Sequence, residues 1–131
     1  ANAAGAITHV WFYAAATSVG QSAVVGIFPG IAVTTPTATG TATIAAAGWN
    51  KIALASSVPI ASGTTFVAAY KIANGDYYSN TSQSYPLTPA GMSLTAPASS
   101  CRGSAGAAFT LPGASIYAQG TFFADVEFVP A

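Results

Sequence analysis

Few side chains in this sequence could carry acid, base, nucleophilic or metal chemistry. The 131 residues include one histidine, one cysteine and three carboxylates. These are His9, Cys101, Asp76, Asp125 and Glu127. Asp125 and Glu127 are two residues apart, so a strand would present both on one face, as a pair of catalytic carboxylates requires. Solvated or lysine-paired charges explain them better, because no further acid or pocket pattern accompanies them. We expect no catalytic residue and no enzyme activity.

Metal and cofactor sites are equally poorly supported. His9 stands alone in a β-type segment, where a histidine is more often a packed or interface residue than a ligand. Asp76 follows Asn74 and Gly75 and suits a turn, whereas calcium would need several more acidic side chains close by. The lone Cys101 is interpreted as an inert thiol. We therefore expect no metal ion and no cofactor.

Charge is unusually scarce along the chain. Three Lys or Arg and three Asp or Glu make 5% of the residues, with zero net charge, where a soluble domain averages roughly a quarter charged residues. Nucleic acid is excluded because binding it requires a basic surface. A membrane span is excluded because every apolar run is broken by Gly, Thr, Ser or Pro well before about 18 residues. Copies of the same chain, or covalent sugar, are the remaining candidates for covering the surface.

The pattern of residues predicts a single all-β domain over residues 1–131. Short β-branched and aromatic segments alternate with Gly, Pro, Ser and Asn, which favours an antiparallel β-sandwich. Predicted strands include residues 7–13, 22–28, 41–45, 50–55, 64–72, 77–79 and 121–129. Alternation along these strands predicts core positions. The predicted core residues are Ile52, Leu54, Phe66, Tyr70, Phe122, Val126 and Phe128. Lys51 and Lys71 are candidates to pair across strands with Asp125 and Glu127.

An ordered series of motifs resembles a known bacterial family. The series comprises residues 48–54 (GWNKIAL), 58–60 (VPI), 63–70 (GTTFVAAY) and 74–77 (NGDY). It resembles the core of domain-of-unknown-function family 4082, whose members typically read ITGVRFY near the start. Residues 7–13 (ITHVWFY) are similar to that motif, and residues 125–128 (DVEF) are similar to the family's closing strand.

The resemblance implies an immunoglobulin-like β-sandwich of secreted or cell-surface bacterial proteins, and it implies no catalytic residues. A start at Ala1 without Met also predicts secretion, since a signal peptidase leaves such a start. The family pattern has a further strand before the ITGVRFY motif, whereas residues 1–6 alone precede Ile7 here. A sheet short of an edge strand is a template for a strand from another chain. Residues 1–14 are therefore the candidate exchanged strand. Its assembly residues are Ile7, His9, Val10, Trp11, Phe12 and Tyr13. The alternative is that this segment folds back, or that the sandwich does without the strand.

The sequence suggests two relationships to carbohydrate, as a covalent modification and as a ligand. Asn80 begins an Asn-Thr-Ser sequon, and Thr35 and Thr37 lie in a Thr-rich stretch, so all three are candidate glycosylation sites. The alternative for the Thr-rich stretch is an ordinary extended loop. Flat aromatic rings could instead stack on a sugar ligand. The candidate stacking residues are Trp49, Tyr77 and Tyr78, with Trp11, Tyr85 and Tyr117 as further members, although most such rings should be packed in the core.

The sequence therefore predicts an extracellular structural subunit that polymerises into a pilus-like fibril by strand exchange between copies. Its partners would be other copies of itself and covalent glycans. The alternative function is a monomeric cell-surface or carbohydrate-binding module.

Overall fold

The computed structural model describes residues 1–73, 109 and 124–131 in full, and the backbone alone of residues 79–80 and 121–122. Within these residues the chain forms eight strands and one 3-10 turn, Ala16–Ser18. The strands are β1 (Gly5–Ala14), β2 (Ser22–Phe28), β3 (Ala38–Thr43), β4 (Gly48–Ile60), β5 (Val67–Ile72), β6 (Ser79–Asn80), β7 (Thr121–Phe122) and β8 (Ala124–Pro130).

Two three-stranded antiparallel sheets form the body of the domain. One sheet has the order β4-β1-β8 and the other has the order β3-β2-β5, while β6 and β7 form a separate pair. Across the two sheets, β3 packs on β4 and β5 packs on β8. The predicted all-β antiparallel sandwich is confirmed. The described residues contain no helix with the length and hydropathy that a membrane span requires.

The core lies between the two sheets and is built by alternation along their strands. In β2, Ala23, Val25 and Ile27 are fully buried, as a period of two requires. Phe12 of β1 stacks on Tyr70 of β5, with ring centroids 5.0 Å apart, and so joins the two sheets. The buried cluster comprises Ile7, Val10, Phe12, Ala14, Ala23, Val25, Ile27, Ala38, Ile44, Ile52, Leu54, Val58, Ile60 and Ile72.

The sheets approach most closely where β3 crosses β4. A Cβ atom added at Gly40 would collide with the backbone carbonyl oxygen of Ala53, so this crossing admits only a residue without a side chain. The contact closes one side of the sandwich beside the buried Ile52.

The predicted exchanged strand, residues 1–14, includes β1. The sequence left two positions open for this segment, a neighbour's sheet or its own domain. In the structure β1 is the central strand of its own sheet and pairs with β4 on one side and β8 on the other. A central position makes β1 part of the core, because both of its hydrogen-bonding edges are occupied within the chain.

Candidate functional site

The outer face of the β4-β1-β8 sheet gathers aromatic and charged side chains. The strand register places Trp11 between Lys51 and Asp125, and it places Tyr13 opposite Trp49. His9 lies beside Glu127 in the same way. We call this surface the aromatic face. Its members are His9, Trp11, Tyr13, Trp49, Lys51, Asp125 and Glu127.

A β-bulge decides which side chains reach the aromatic face. Pairing of β1 with β8 steps from Ile7 opposite Phe128 to His9 opposite Glu127, so β1 carries one extra residue, Thr8. Without that extra residue, strict alternation would put His9 on the same side as the buried Ile7. With it, Val10, Phe12 and Ala14 are fully buried, while His9, Trp11 and Tyr13 face outward.

Trp49 is the most prominent ring of this face. Its side chain is 51% exposed, which is unusual for a residue type that is highly buried on average. The ring makes an edge-to-face contact with Tyr13, with centroids 5.9 Å apart and an interplanar angle of 87°. This contact and the strand pairing fix the orientation of the Trp49 ring on the sheet.

The turn before Trp49 is held by two local devices. Gly48 has φ of 101°, a conformation that side chains with a Cβ atom rarely adopt. The side-chain amide of Asn50 donates to the carbonyl oxygens of Ala46 and Gly48, both at 2.9 Å. These hydrogen bonds tie the end of the turn to the first residues of β4, so the backbone that carries Trp49 has a defined path.

A charged network lies next to the rings. Lys51 forms an ion pair with Glu127, and the Lys51 ammonium lies 5.4 Å from the centroid of the Trp11 ring. His9 Nδ1 is 3.6 Å from the second carboxylate oxygen of Glu127 and 2.9 Å from the hydroxyl oxygen of Thr8. The hydrogen bond from Lys51 is the main cause that lowers the pKa of Glu127 from its ordinary value of 4.5. Desolvation opposes this shift, and the charges of Lys51 and His9 reinforce it.

The groups on this face can stack through their aromatic rings and form hydrogen bonds through their charged side chains. Glu127 is paired with Lys51 and has a lowered pKa, which suits a hydrogen-bond acceptor and not a proton donor near neutral pH. Asp125 uses one carboxylate oxygen to accept the backbone N–H of Val126 at 2.7 Å. Over the part of the chain that the structure describes, no three His, Cys, Asp or Glu side chains cluster as metal ligands would.

The predicted assembly residues divide between two environments. Ile7, Val10 and Phe12 are fully buried in the core, whereas the other three lie on the aromatic face. Lys51 pairs with Glu127, as the sequence predicted, whereas Lys71 lies on β5 in the other sheet.

The other predicted site residues have these positions. Ile52 and Leu54 are buried, and four further predicted core residues pack partly buried against the cluster. These four are Phe66, Tyr70, Val126 and Phe128. Thr35 and Thr37 are exposed in the connection between β2 and β3. Tyr77 and Tyr78, and the side chains of Asn80 and Phe122, lie outside the described residues.

The sequence patterns did not single out two residues that position Trp49. Gly48 and Asn50 shape the turn before Trp49, and the Gly-Trp-Asn triplet at a strand start was the signal that could have identified them.

Comparison with known protein families identifies the family of this chain. The family model described as Domain of unknown function (DUF4082) matches residues 1–124. The chain belongs to this family. No curated protein and no solved structure matches the chain. The resemblance read from the GWNKIAL and GTTFVAAY motifs is therefore confirmed, and the family's description leaves its function open.

Proposed function

We propose that this DUF4082 chain is a structural subunit of an extracellular fibril, and that its copies join by exchanging β1. The observation that carries this proposal is the position of β1, which separates β4 from β8 in their sheet. If β1 leaves this position, both neighbouring strands lose their hydrogen-bonding partner. The β1 of another copy would restore the same contacts, which is why exchange of an identical element costs little free energy.

The contacts of β1 explain why the vacated position would not stay empty. Its residues pair with β4 from Gly5 to Ala14 and with β8 from Gly5 to Phe12. Ile7, Val10, Phe12 and Ala14 are all fully buried. Truncating one buried Phe to Ala typically costs about 3–5 kcal/mol, so a sheet without β1 would be strongly driven to recruit another strand.

The connection between β1 and β2, residues 15–21, is the natural hinge for such an exchange. It contains the 3-10 turn, and the backbone N–H of Gly20 donates to the carbonyl oxygen of Ile44 at 2.9 Å. Ser18 is fully buried, and its hydroxyl has no hydrogen-bond partner within the described residues. A buried hydroxyl without a partner costs about 1–3 kcal/mol, so it destabilises the closed hinge. Opening the hinge would expose the Ser18 hydroxyl to water and remove this cost.

The surface composition also favours association. Lys51, Lys71, Asp125 and Glu127 are the charged side chains within the described residues, and three of them belong to the aromatic face. Large apolar side chains are also exposed, with Ile31 at 57%, Val129 at 50% and Val33 at 43%. Subunit contacts would remove such groups from water at a gain of roughly 25 cal/mol per Å².

An extracellular, sugar-coated fibril is part of the same proposal. Thr35 and Thr37 are exposed and lie outside the regular strands, so both hydroxyls are accessible to a glycosyltransferase. Sugar there would solvate the same connection that exposes Ile31 and Val33.

A disulfide trap tests the exchange directly. His9 and Ala53 are opposite partners in β1 and β4, and opposite residues have Cα atoms about 4.5–5.5 Å apart, within the range that a disulfide spans. The variant carries His9→Cys and Ala53→Cys in a Cys101→Ser background and is oxidised after assembly. Exchange in a fibril would give a ladder of covalent multimers on a non-reducing gel, because each β1 would be bonded to the next subunit.

Other results would overturn the proposal. Bonds confined to single chains inside an assembled fibril would contradict strand exchange. A dimer band alone would indicate closed exchange, and a wild-type chain that sediments as a stable monomer at micromolar concentration would contradict the fibril. The variant with His9→Cys alone, in the same Cys101→Ser background, is the matched control and should give no ladder.

A further inference from the structure

We propose that the aromatic face binds neutral polysaccharide, with the ring of Trp49 stacking on one sugar unit and the carboxylates of β8 accepting hydrogen bonds from the hydroxyls of other units. This inference does not depend on the fibril, because it requires only that β1 lies between β4 and β8. In an exchanged fibril, Tyr13 would come from one subunit and Trp49 from the next, and the face would be the same.

Trp49 has the properties of a preorganised stacking ring. It is 51% exposed, and its orientation is fixed by the edge-to-face contact with Tyr13. The Gly48 turn and the Asn50 amide hold the backbone on either side of it. Binding therefore orders little that is not ordered already, which reduces the entropic cost. The negative π-face of an indole ring attracts the weakly positive C–H groups on the apolar face of a pyranose.

Trp11 has a different role. The Lys51 ammonium lies 5.4 Å from the Trp11 ring centroid and continues to its ion pair with Glu127, so a cation already occupies the space beside this ring. Trp11 therefore positions Lys51, whereas the exposed ring of Trp49 is accessible to a ligand.

The polar groups stand within one sugar chain's reach of Trp49. Residues two apart on a strand are about 7 Å apart, and neighbouring strands are about 5 Å apart. Asp125 and Glu127 on β8 are thus two strands away from Trp49 on β4, with Tyr13 and Trp11 between them. Trp49 is opposite Tyr13, whereas Asp125 is opposite Trp11 and Glu127 is opposite His9. A sugar chain that runs diagonally across the sheet would therefore stack one unit on the Trp49 ring and bring the hydroxyls of later units to the carboxylates.

Charge selects the class of sugar. The described face carries one ammonium against two carboxylates, and the ammonium is already paired with Glu127. Carboxylates accept hydrogen bonds from hydroxyl groups and repel anions. A neutral polysaccharide is therefore favoured over one that carries uronate or sulfate groups.

The test measures binding of defined oligosaccharides to the full chain. Cellohexaose, xylohexaose and mannohexaose are the neutral probes, and hexaguluronate is the acidic probe, with isothermal titration calorimetry and indole fluorescence as readouts. We expect at least one neutral probe to bind, hexaguluronate to bind at least tenfold more weakly, and Trp49→Ala to raise Kd at least tenfold. Ile31→Ser removes an equally exposed apolar side chain away from this face, and it should leave Kd unchanged within about twofold.

Four results would overturn the inference, three of them from the binding measurements. These are failure of every neutral probe to bind the wild-type chain, binding that Trp49→Ala leaves intact, and tighter binding of hexaguluronate than of the neutral probes. A fourth is a fall in sedimentation coefficient caused by Trp49→Ala without sugar, which would make Trp49 a contact between copies. Failure of the disulfide ladder would leave these outcomes unaffected, so the two proposals fail separately.

Discussion

Lys51 extends over the ring of Trp11 to form an ion pair with Glu127, although their strands lie on opposite sides of β1. The pair therefore links all three strands of this sheet on its outer face. Because the ammonium also interacts with the indole ring, the three side chains hold one another in place. The charge state of Glu127 therefore affects contacts on all three strands of this sheet.

Acid should weaken the contribution of this pair. The pKa of Glu127 is lowered in the folded chain, so its stabilising effect is complete above its ordinary value of 4.5 and is lost as pH falls through the folded pKa. Glu127→Gln should therefore unfold at lower urea concentration than wild type near neutral pH, and the difference should vanish well below pH 4.5. Asp125→Asn removes a carboxylate from the same face and keeps the pair, so its pH profile should retain the acid-induced loss. An unchanged loss in Glu127→Gln would contradict this role.

The two sides of β1 should differ sharply in their response to truncation. Phe12 is fully buried and stacks on Tyr70 across the sandwich, so Phe12→Ala should lower the free energy of unfolding by about 3–5 kcal/mol. Tyr13 is the next residue and faces outward against Trp49, so Tyr13→Ala should cost only about 0.5–1.5 kcal/mol. Urea unfolding of both variants measures the difference. Equal losses would mean that the bulge at Thr8 does not set the faces of β1 as described.

The crossing of β3 and β4 should tolerate no added side chain. A Cβ atom at Gly40 would overlap the carbonyl oxygen of Ala53, which is backbone and cannot rotate away. Gly40→Ala should therefore destabilise the domain by about 1–3 kcal/mol. Thr41→Ala, an exposed change one residue along the strand, should stay within about 0.5 kcal/mol. A neutral Gly40→Ala variant would show that the two strands can separate.

Sequence patterns predicted the strands well where alternation is regular. The prediction of residues 22–28 coincides with β2, and the alternation of Ile52 and Leu54 against Lys51 holds in β4.

Other features depend on information that a single strand does not carry. The position of β1 in its sheet is set by pairing with β4 and β8, which are distant in sequence. The bulge at Thr8 is visible only against the partner strands, because the pairing of β1 with both β4 and β8 shifts between Ile7 and His9, and it decides that Trp11 and Tyr13 share the outer face with Trp49. An aromatic face built from separate strands therefore could not be assembled from local spacing.

Gly48 should prove necessary for the orientation of Trp49. Its φ of 101° is strained for any residue with a Cβ atom, and nothing lies within 4 Å of that position, so the cost of Gly48→Ala is conformational. We expect a loss of about 1–3 kcal/mol in unfolding free energy, with a shift in Trp49 fluorescence measured in a Trp11→Phe background. Gly63→Ala is the matched control, since Gly63 also has positive φ and open space. It should lose similar stability while the fluorescence stays unchanged.

Ser18→Ala should stabilise the closed chain and suppress its assembly. The Ser18 hydroxyl is fully buried in the hinge without a hydrogen-bond partner within the described residues, so removing it should raise the unfolding free energy of the monomer by about 1 kcal/mol or more. If opening of the hinge relieves that cost, fibril formation followed by light scattering should slow in Ser18→Ala. Ser22→Ala changes an exposed serine just beyond the hinge, and it should alter neither quantity. A Ser18→Ala chain that is more stable yet assembles at the wild-type rate would indicate that copies join without opening this hinge.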